Sequence, residues 1–390
     1  MNDRPMPTPS HITHFAPSDS HTAGSLLTID LTALADNYRQ MAERTGSAEC
    51  AAVIKADAYG TGLEAAADCF WQAGCRTFFV AHPQEGAKAR KRLPEAVIYV
   101  LNGLVGDDSD DCMTYYRDYN LRPVLGCLAE LEIWQAFCAK NVKPLSCAIH
   151  FDTGMNRLGL SHQDAVELSK RWKETPPSFD LSLIISHLAC ADEPDHSQNR
   201  DQLKRFSDIR SLFPGVNASL ANSSGVFLGP DYHFDLCRPG IALYGGAVVD
   251  GKPSPMQVVA TLQSRILATR DVAEGQPVSY GATQTTKRQS RLAILCVGYA
   301  DGFLRTGSSN DTRAGAIVSI NGHNAPVIGR ITMDLIIVDV TDIPEDKAQR
   351  GDWAELFGSK IAIDDVAKAA NTISYELLTS LGLRALRRYQ

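Results

Sequence analysis

Four residues, far apart in the chain, carry chemistry that an ordinary packed core does not require. Lys55 follows the apolar run AAVI and precedes the Gly-punctuated stretch ADAYGTG. A lysine at the end of a buried run either snorkels its ammonium into water or has its pKa lowered so that the free amine can form a Schiff base. His187 stands in IISHLA, Ser223 in NSSG and Arg238 in CRPG, just ahead of IALYGG. Singly, each has a plain reading as a strand-end charge, a satisfied core histidine or a turn serine. The fold decides whether they meet.

From residue 50 onward, short β-rich runs alternate with segments of helical spacing. The runs AAVIK, TFFVAH, AVIYVLNG, RPVLG, LSCAIHFD, LSLIISHLA, NASLANS and FDLCRPG are separated by stretches such as GLEAAADCFWQAGC, LAELEIWQAFCAK and NRDQLKRFSDIRSLF. Such alternation means parallel strands with helical crossovers. Eight runs fit a closed (β/α)8 TIM-type barrel, with an open doubly wound sheet as the alternative. Near residue 255 the linker GKPSPM ends the rhythm, and runs such as VVATLQSRILATRDV and MDLIIVDVTDI follow without long helices between them. Asn321-Gly322 between apolar runs marks a hairpin, and DDVAKAANTISYELLTSLG reads as helical. The expected organisation is α/β: a loose tail over 1–24, a barrel over 25–255 and a mostly β C-terminal domain over 256–390.

In that barrel Lys55, His187, Ser223 and Arg238 all fall at the carboxyl ends of strands, the face on which barrel enzymes build their sites. Strands 1 and 8 adjoin, so Lys55 and Arg238 share one mouth. NSSG and RPGIALYGG supply hydroxyls and glycines that let backbone approach an anion closely. A Schiff-base lysine, a phosphate cradle and an arginine together describe a pyridoxal phosphate site.

The composition fits a soluble enzyme. The chain has 390 residues, 44% of them hydrophobic, and a formal net charge of −7, which argues against a general nucleic-acid binder. The ten cysteines show neither C-x-x-C pairs nor zinc-like spacing, as in a reduced, metal-free cytoplasmic protein. No apolar run is long enough to span a membrane. The first 24 residues lack a signal peptide's apolar core, and His11, His14 and His21 are too irregular for a metal tail.

The segment AVIKADAYGTG closely resembles the cofactor-lysine signature of alanine racemases. FDTGMNRLG, SHLACADEP, ANSSG, RPGIALYG, VSYGATQT, VGYADGF and GRITMD follow in family order. The resemblance implies a homodimeric, pyridoxal-phosphate-dependent enzyme that interconverts L- and D-alanine and supplies peptidoglycan synthesis. It makes Lys55 the cofactor's attachment point and one of two bases, with Tyr280 of the second subunit of a head-to-tail pair as the other. Tyr59, Ser223, Gly240 and Ile241 would hold the phosphate, and Arg238, backed by His187, would face the pyridine nitrogen. Arg157 and the Met333 amide would hold the substrate carboxylate. Asp192, Tyr299, Arg305, Arg330 and Asp334 would line the access corridor. Two bases on opposite faces suit racemisation, since one base returns the proton mainly to its own side.

Two positions depart from the family. His150 stands where many members carry a carbamylated lysine, and Leu383 where many carry a phosphate-binding tyrosine. The alternatives are a racemase of broader specificity, a fold-related decarboxylase or aldolase, and a non-catalytic pyridoxal phosphate carrier. Tyr280 in VSYG and the later TMD favour racemisation.

Overall fold

The computed structural model describes residues 19–390 apart from residue 108. The expected tail falls mainly on residues 1–18, outside the described residues, as do His11 and His14. The chain divides into two compact units, Thr32–Gln257 and a second formed by the described residues up to Leu31 with Val258–Gln390.

The first unit is a barrel of parallel strands. Ala52–Val53, Thr77–Val80, Val97–Val100, Arg122–Leu125, Ser146–His150, Asp180–Ile185 and Asn217–Ser219 form one seven-stranded sheet in chain order. The eighth strand, Leu236–Cys237, closes the ring. It pairs in parallel with Glu49–Cys50, and the amides of Ala51 and Val53 donate to the carbonyls of Cys237 and Pro239 at 2.9 and 3.0 Å. On its other side the amides of Asp235 and Arg238 donate to the carbonyls of Ala218 and Ala221. Closure removes every exposed sheet edge. It also explains why runs such as TFFV are apolar at successive positions: both faces are covered, and Phe78, Phe79 and Val80 are fully buried.

Helices Leu63–Gln72, Pro83–Arg92, Asp110–Asp118, Leu128–Cys138, His162–Glu174 and Ser197–Leu212 form the crossovers. Helix Leu31–Thr45 precedes the first barrel strand and is tied to the chain that follows the last one. Its fully buried Asn37 donates to the carbonyls of Leu243 and Gln257 and accepts from the Gln257 amide at 2.8 Å. After the seventh strand the chain makes the short turns Ser223–Val226 and Pro230–Tyr232, and after the eighth the short turn Ile241–Tyr244. Short connections there leave backbone amides at the strand ends.

The second unit is mostly β. Ala260–Val272 is its long central strand: its first half pairs with Ser25–Ile29 on one edge and Trp353–Phe357 on the other, and its second half, bulged between Ile266 and Ala268, pairs with Ser290–Leu295. Ile317–Ile320 and His323–Pro326 form the hairpin at Asn321-Gly322, whose φ values of 48° and 87° are those a two-residue turn needs. Two features differ from the sequence reading. Ser25–Ile29, expected at the head of the barrel segment, lies in the β unit, antiparallel to Ala260–Val272 and parallel to Leu386–Tyr389. Its partners lie more than two hundred residues downstream, which local pattern does not reveal. The C-terminal helical stretch is two helices, Ile363–Ala369 and Ser374–Thr379, with Asn371 between them at φ 55°.

Candidate active site

Lys55 comes two residues after strand Ala52–Val53 and opens an unusual turn. Ala56, Asp57, Ala58 and Tyr59 all have φ of 53–54°, four consecutive non-glycine residues in the left-handed region. Each such residue costs about 1–2 kcal/mol, least for Asp. The turn is therefore held by its surroundings. The amides of Gly60 and Gly62 donate to the carbonyls of Ala56 and Asp57, and the Leu63 amide donates to Asp57 Oδ1 at 2.9 Å. The result aims Lys55 from the strand end and swings Tyr59 into the core. Burial lowers the Lys55 pKa, the Arg157 charge lowers it further, and Glu85 opposes both. Lys55 is half-buried. A lowered pKa makes more free amine available for attack on a carbonyl.

Tyr59 stacks on Tyr244 with ring centroids 4.6 Å apart, and the Tyr244 hydroxyl donates to the Val53 carbonyl. The Tyr59 hydroxyl lies against Gly240, where an added Cβ would sit 2.2 Å from it, so only glycine fits. Ser223 Oγ accepts from the amides of Gly240 and Ala242 at 2.8 and 3.2 Å. The Ile241 amide between them has no protein acceptor among the described residues. Two hydroxyls and adjacent backbone amides make a donor set for a phosphate.

Arg238 follows the eighth strand and is only 4% exposed. Its guanidinium donates to the Ser186 carbonyl at 2.6 Å and to Ser219 Oγ, and Nη2 lies 3.4 Å from His187 Nδ1. These neighbours are neutral. Burial therefore pushes the Arg238 pKa down to about 10, which leaves it cationic near neutrality. Burial, followed by the charge of Arg238, drives His187 well below its ordinary value, so the imidazole is neutral. Lys55, Tyr59, His187, Ser223, Arg238, Gly240 and Ile241 thus lie on the loops at one end of the barrel. The set fits pyridoxal phosphate: an amine for its carbonyl carbon, donors for its phosphate and a fixed cation for its ring.

His150 ends the fifth strand and is 8% exposed. Its pKa is lowered to about 4 by burial and then by Arg238 and Arg157. A neutral imidazole carries none of the negative charge that a carbamate would. The loop bearing Arg157 is organised by Asp152 instead, whose Oδ1 accepts from the amides of Gly154, Met155 and Asn156 at 2.9–3.1 Å. Arg157 and Asp192 themselves are exposed.

The sequence reading missed several supporting residues. Gln202 is completely buried and donates to Thr153 Oγ1 and the His187 carbonyl while accepting from the Ala189 amide. Thr153 in turn shares a 2.7 Å bond with Ser186, whose carbonyl takes the Arg238 bond. Gln202 thus couples the Arg157 loop to Arg238. A polar residue inside a helical stretch flanked by charged ones carries no such signal.

The β unit holds the remaining expected residues. Tyr280 is 73% exposed on a loop where Ser279 and Ala282 have φ of 63° and 45°. Ser279 Oγ donates to the Arg330 carbonyl at 2.7 Å, and the Arg330 guanidinium lies against Gly281. The amides of Tyr299 and Ala300 donate to the carbonyls of Thr332 and Met333, while the Met333 amide has no protein acceptor among the described residues. Arg305, itself exposed, opens the turn Arg305–Gly307. Asp334 is held by Arg384 at 2.8 Å, a partner the sequence did not suggest, and Leu383 beside it is 89% exposed.

Comparison with known proteins agrees with this arrangement. The family "Alanine racemase, N-terminal domain" matches residues 29–248, and "Alanine racemase, C-terminal domain" matches 259–389. The biosynthetic alanine racemase of Agrobacterium fabrum is 49% identical over 93% of each chain. That organism's catabolic alanine racemase is 41% identical over 94% of this chain and 92% of its own. The crystal structure of alanine racemase from Bartonella henselae with covalently bound pyridoxal phosphate superposes with a TM-score of 0.87, at 39% identity over 94% of this chain and all of that one. In the described residues no helix is long and apolar enough to cross a membrane. The chain belongs to the alanine racemase family.

Proposed function

We propose that the chain is a pyridoxal-phosphate-dependent alanine racemase acting as a head-to-tail homodimer, with Lys55 of one copy and Tyr280 of the other as its two bases. The observation that carries the reading is Arg238: a buried guanidinium with only neutral partners, beside the strand-end lysine and the amide-lined cradle. Bound pyridoxal phosphate supplies a conjugated ring that spreads the negative charge left at the substrate Cα. With the cofactor bound, Arg238 would lie toward the ring nitrogen, and its charge would disfavour protonation there, because two adjacent cations repel. A weaker electron sink follows, which suits simple return of the proton over side reactions.

Lys55 Nζ takes or returns the Cα proton on one face, and Tyr280 Oη does so on the other. Tyr59, Ser223 and the amides of Gly240 and Ile241 hold the phosphate. Arg157 and the Met333 amide hold the substrate carboxylate. Asp192, Tyr299, Arg305, Arg330 and Asp334 line the access corridor. The high exposure of Tyr280, on a loop with strained backbone, supports its service to a second copy. The product D-alanine feeds peptidoglycan. Purified protein should show a visible cofactor band and convert L- to D-alanine by chiral chromatography. A cofactor band without conversion would leave only a carrier.

A further inference from the structure

We propose that Glu85 is a positioning residue for Lys55: its carboxylate joins the first two strand-to-helix connections of the barrel and fixes the left-handed turn on which the lysine stands. The proposal rests on the assignment of Lys55 as the cofactor-bearing lysine. Glu85 is the third residue of helix Pro83–Arg92. Its Oε2 accepts from the amides of Ala81 and His82 at 2.8 and 3.1 Å, which closes the start of its own helix. Its Oε1 accepts from the Ala56 amide at 2.7 Å.

Ala56 is the residue next to Lys55 and the first of the four at φ 53–54°. The bonds from Gly60, Gly62 and Leu63 secure the far part of this turn. Glu85 is the side chain that secures the amide adjacent to the lysine. Backbone in so unfavourable a region persists only where its surroundings over-determine it. Without Glu85 the Ala56 amide loses its acceptor, and the near end of the turn rests on the backbone bonds from Ile54 to the Phe79 carbonyl and from Ala58 to the Ile54 carbonyl, which leaves Lys55 Nζ a less fixed origin.

The contact set also requires a carboxylate. Three amide N–H groups converge on two oxygens, and both oxygens accept. A glutamine would turn its NH2 group toward at least one of those N–H groups, donor against donor. The charge acts on Lys55 as well. Burial and Arg157 lower the lysine's affinity for a proton, and Glu85 raises it. The other groups bearing on this corner are His150 and His187, which are neutral, the buried cation of Arg238, and the Asp57–Lys88 pair at 3.5 Å, which spans the turn and the Glu85 helix. Glu85 is thus both a mechanical tether and a carboxylate that counters Arg157 at the lysine.

The test uses cofactor-free parent protein with Glu85→Gln and Glu85→Asp variants. The rate of pyridoxal phosphate attachment is read by absorbance against pH, and borohydride reduction with peptide mass analysis locates the label. In Glu85→Gln the pH midpoint should fall by about half a unit or more, and the maximal rate should drop several-fold. Glu85→Asp keeps the charge, so its midpoint should stay near the parent's while its rate falls, because the shorter side chain cannot span both loops. A merely structural role would lower the melting temperature of both variants and move neither midpoint. An unshifted midpoint in Glu85→Gln, with the label still on Lys55, overturns the positioning role alone. A label on another lysine overturns the Lys55 assignment, and this proposal with it. If the variants do not fold, hydrogen exchange of the parent decides: a slow Ala56 amide supports the tether, and exchange at the unprotected rate refutes it.

Discussion

Replacing Ala56 with glycine should stabilise the barrel unit, the reverse of what the same change does in an ordinary helix. Ala56 is exposed, so its methyl group contributes little packing, and its φ of 54° lies where a Cβ is crowded. Removing the Cβ relieves about 1–2 kcal/mol. The extra freedom of glycine in the unfolded chain takes back about 0.4–1 kcal/mol. The net expectation is a gain of about 0.5–1 kcal/mol, or roughly 1–4 °C in melting temperature for a unit of this size. Ala136, exposed within the right-handed helix Leu128–Cys138, is the control. Glycine there should cost about 1 kcal/mol. Urea unfolding of the three proteins side by side gives the comparison. The gain in stability should come with a loss of turnover, since a looser turn spreads the positions of Lys55. If Ala56→Gly destabilised the protein as much as Ala136→Gly, the strained turn would not exist in solution.

Other consequences follow from the same geometry. Arg238→Glu should let the cofactor's ring nitrogen protonate, giving a new long-wavelength absorbance during turnover, more transamination and a kcat lower by roughly a hundredfold; an unchanged spectrum in folded, loaded protein would count against the ring contact. His150 has a folded pKa of about 4 against 6.5 when free, so the unfolded state takes up a proton first as pH falls. Stability is then full above pH 6.5 and declines toward pH 4 by about 2–3 kcal/mol, and His150→Gln should flatten that part of the stability–pH curve. Gln202→Ala removes three hydrogen bonds, one of them to buried Thr153, and should cost about 2–3 kcal/mol. It should raise KM for alanine more than it lowers kcat, because it frees the Arg157 loop, and steady-state kinetics would show the split.

The residues that stood out in sequence did so because their chemistry clashed with their surroundings. A lysine after AAVI, a histidine in IISHLA and an arginine before PG interrupt apolar strands, and barrel topology gathers strand ends at one face. Glu85, Gln202 and Arg384 raised no such conflict. They are ordinary polar residues on helices or a tail, and their roles come from what tertiary structure sets opposite them. The turn after Lys55 was equally hidden, because KADAY contains good right-handed helix formers and its handedness is imposed by bonds from residues 60–63 and from Glu85. The Ser25–Ile29 strand was misplaced for a related reason: its alternation reveals a strand but not its partners.

The central claim, a site that draws one base from each of two chains, is tested most directly by mixing inactive variants. Lys55→Ala and Tyr280→Phe proteins are unfolded together, refolded in equal amounts and assayed for alanine racemisation. In a heterodimer one site then carries both lesions and the other carries neither. Random pairing makes half the dimers mixed, each with one intact site of two, so activity should return to about a quarter of the parent's. If mixed dimers form, as verified by mass, and activity stays at the level of the two parents, both bases come from the same chain and the shared site is wrong.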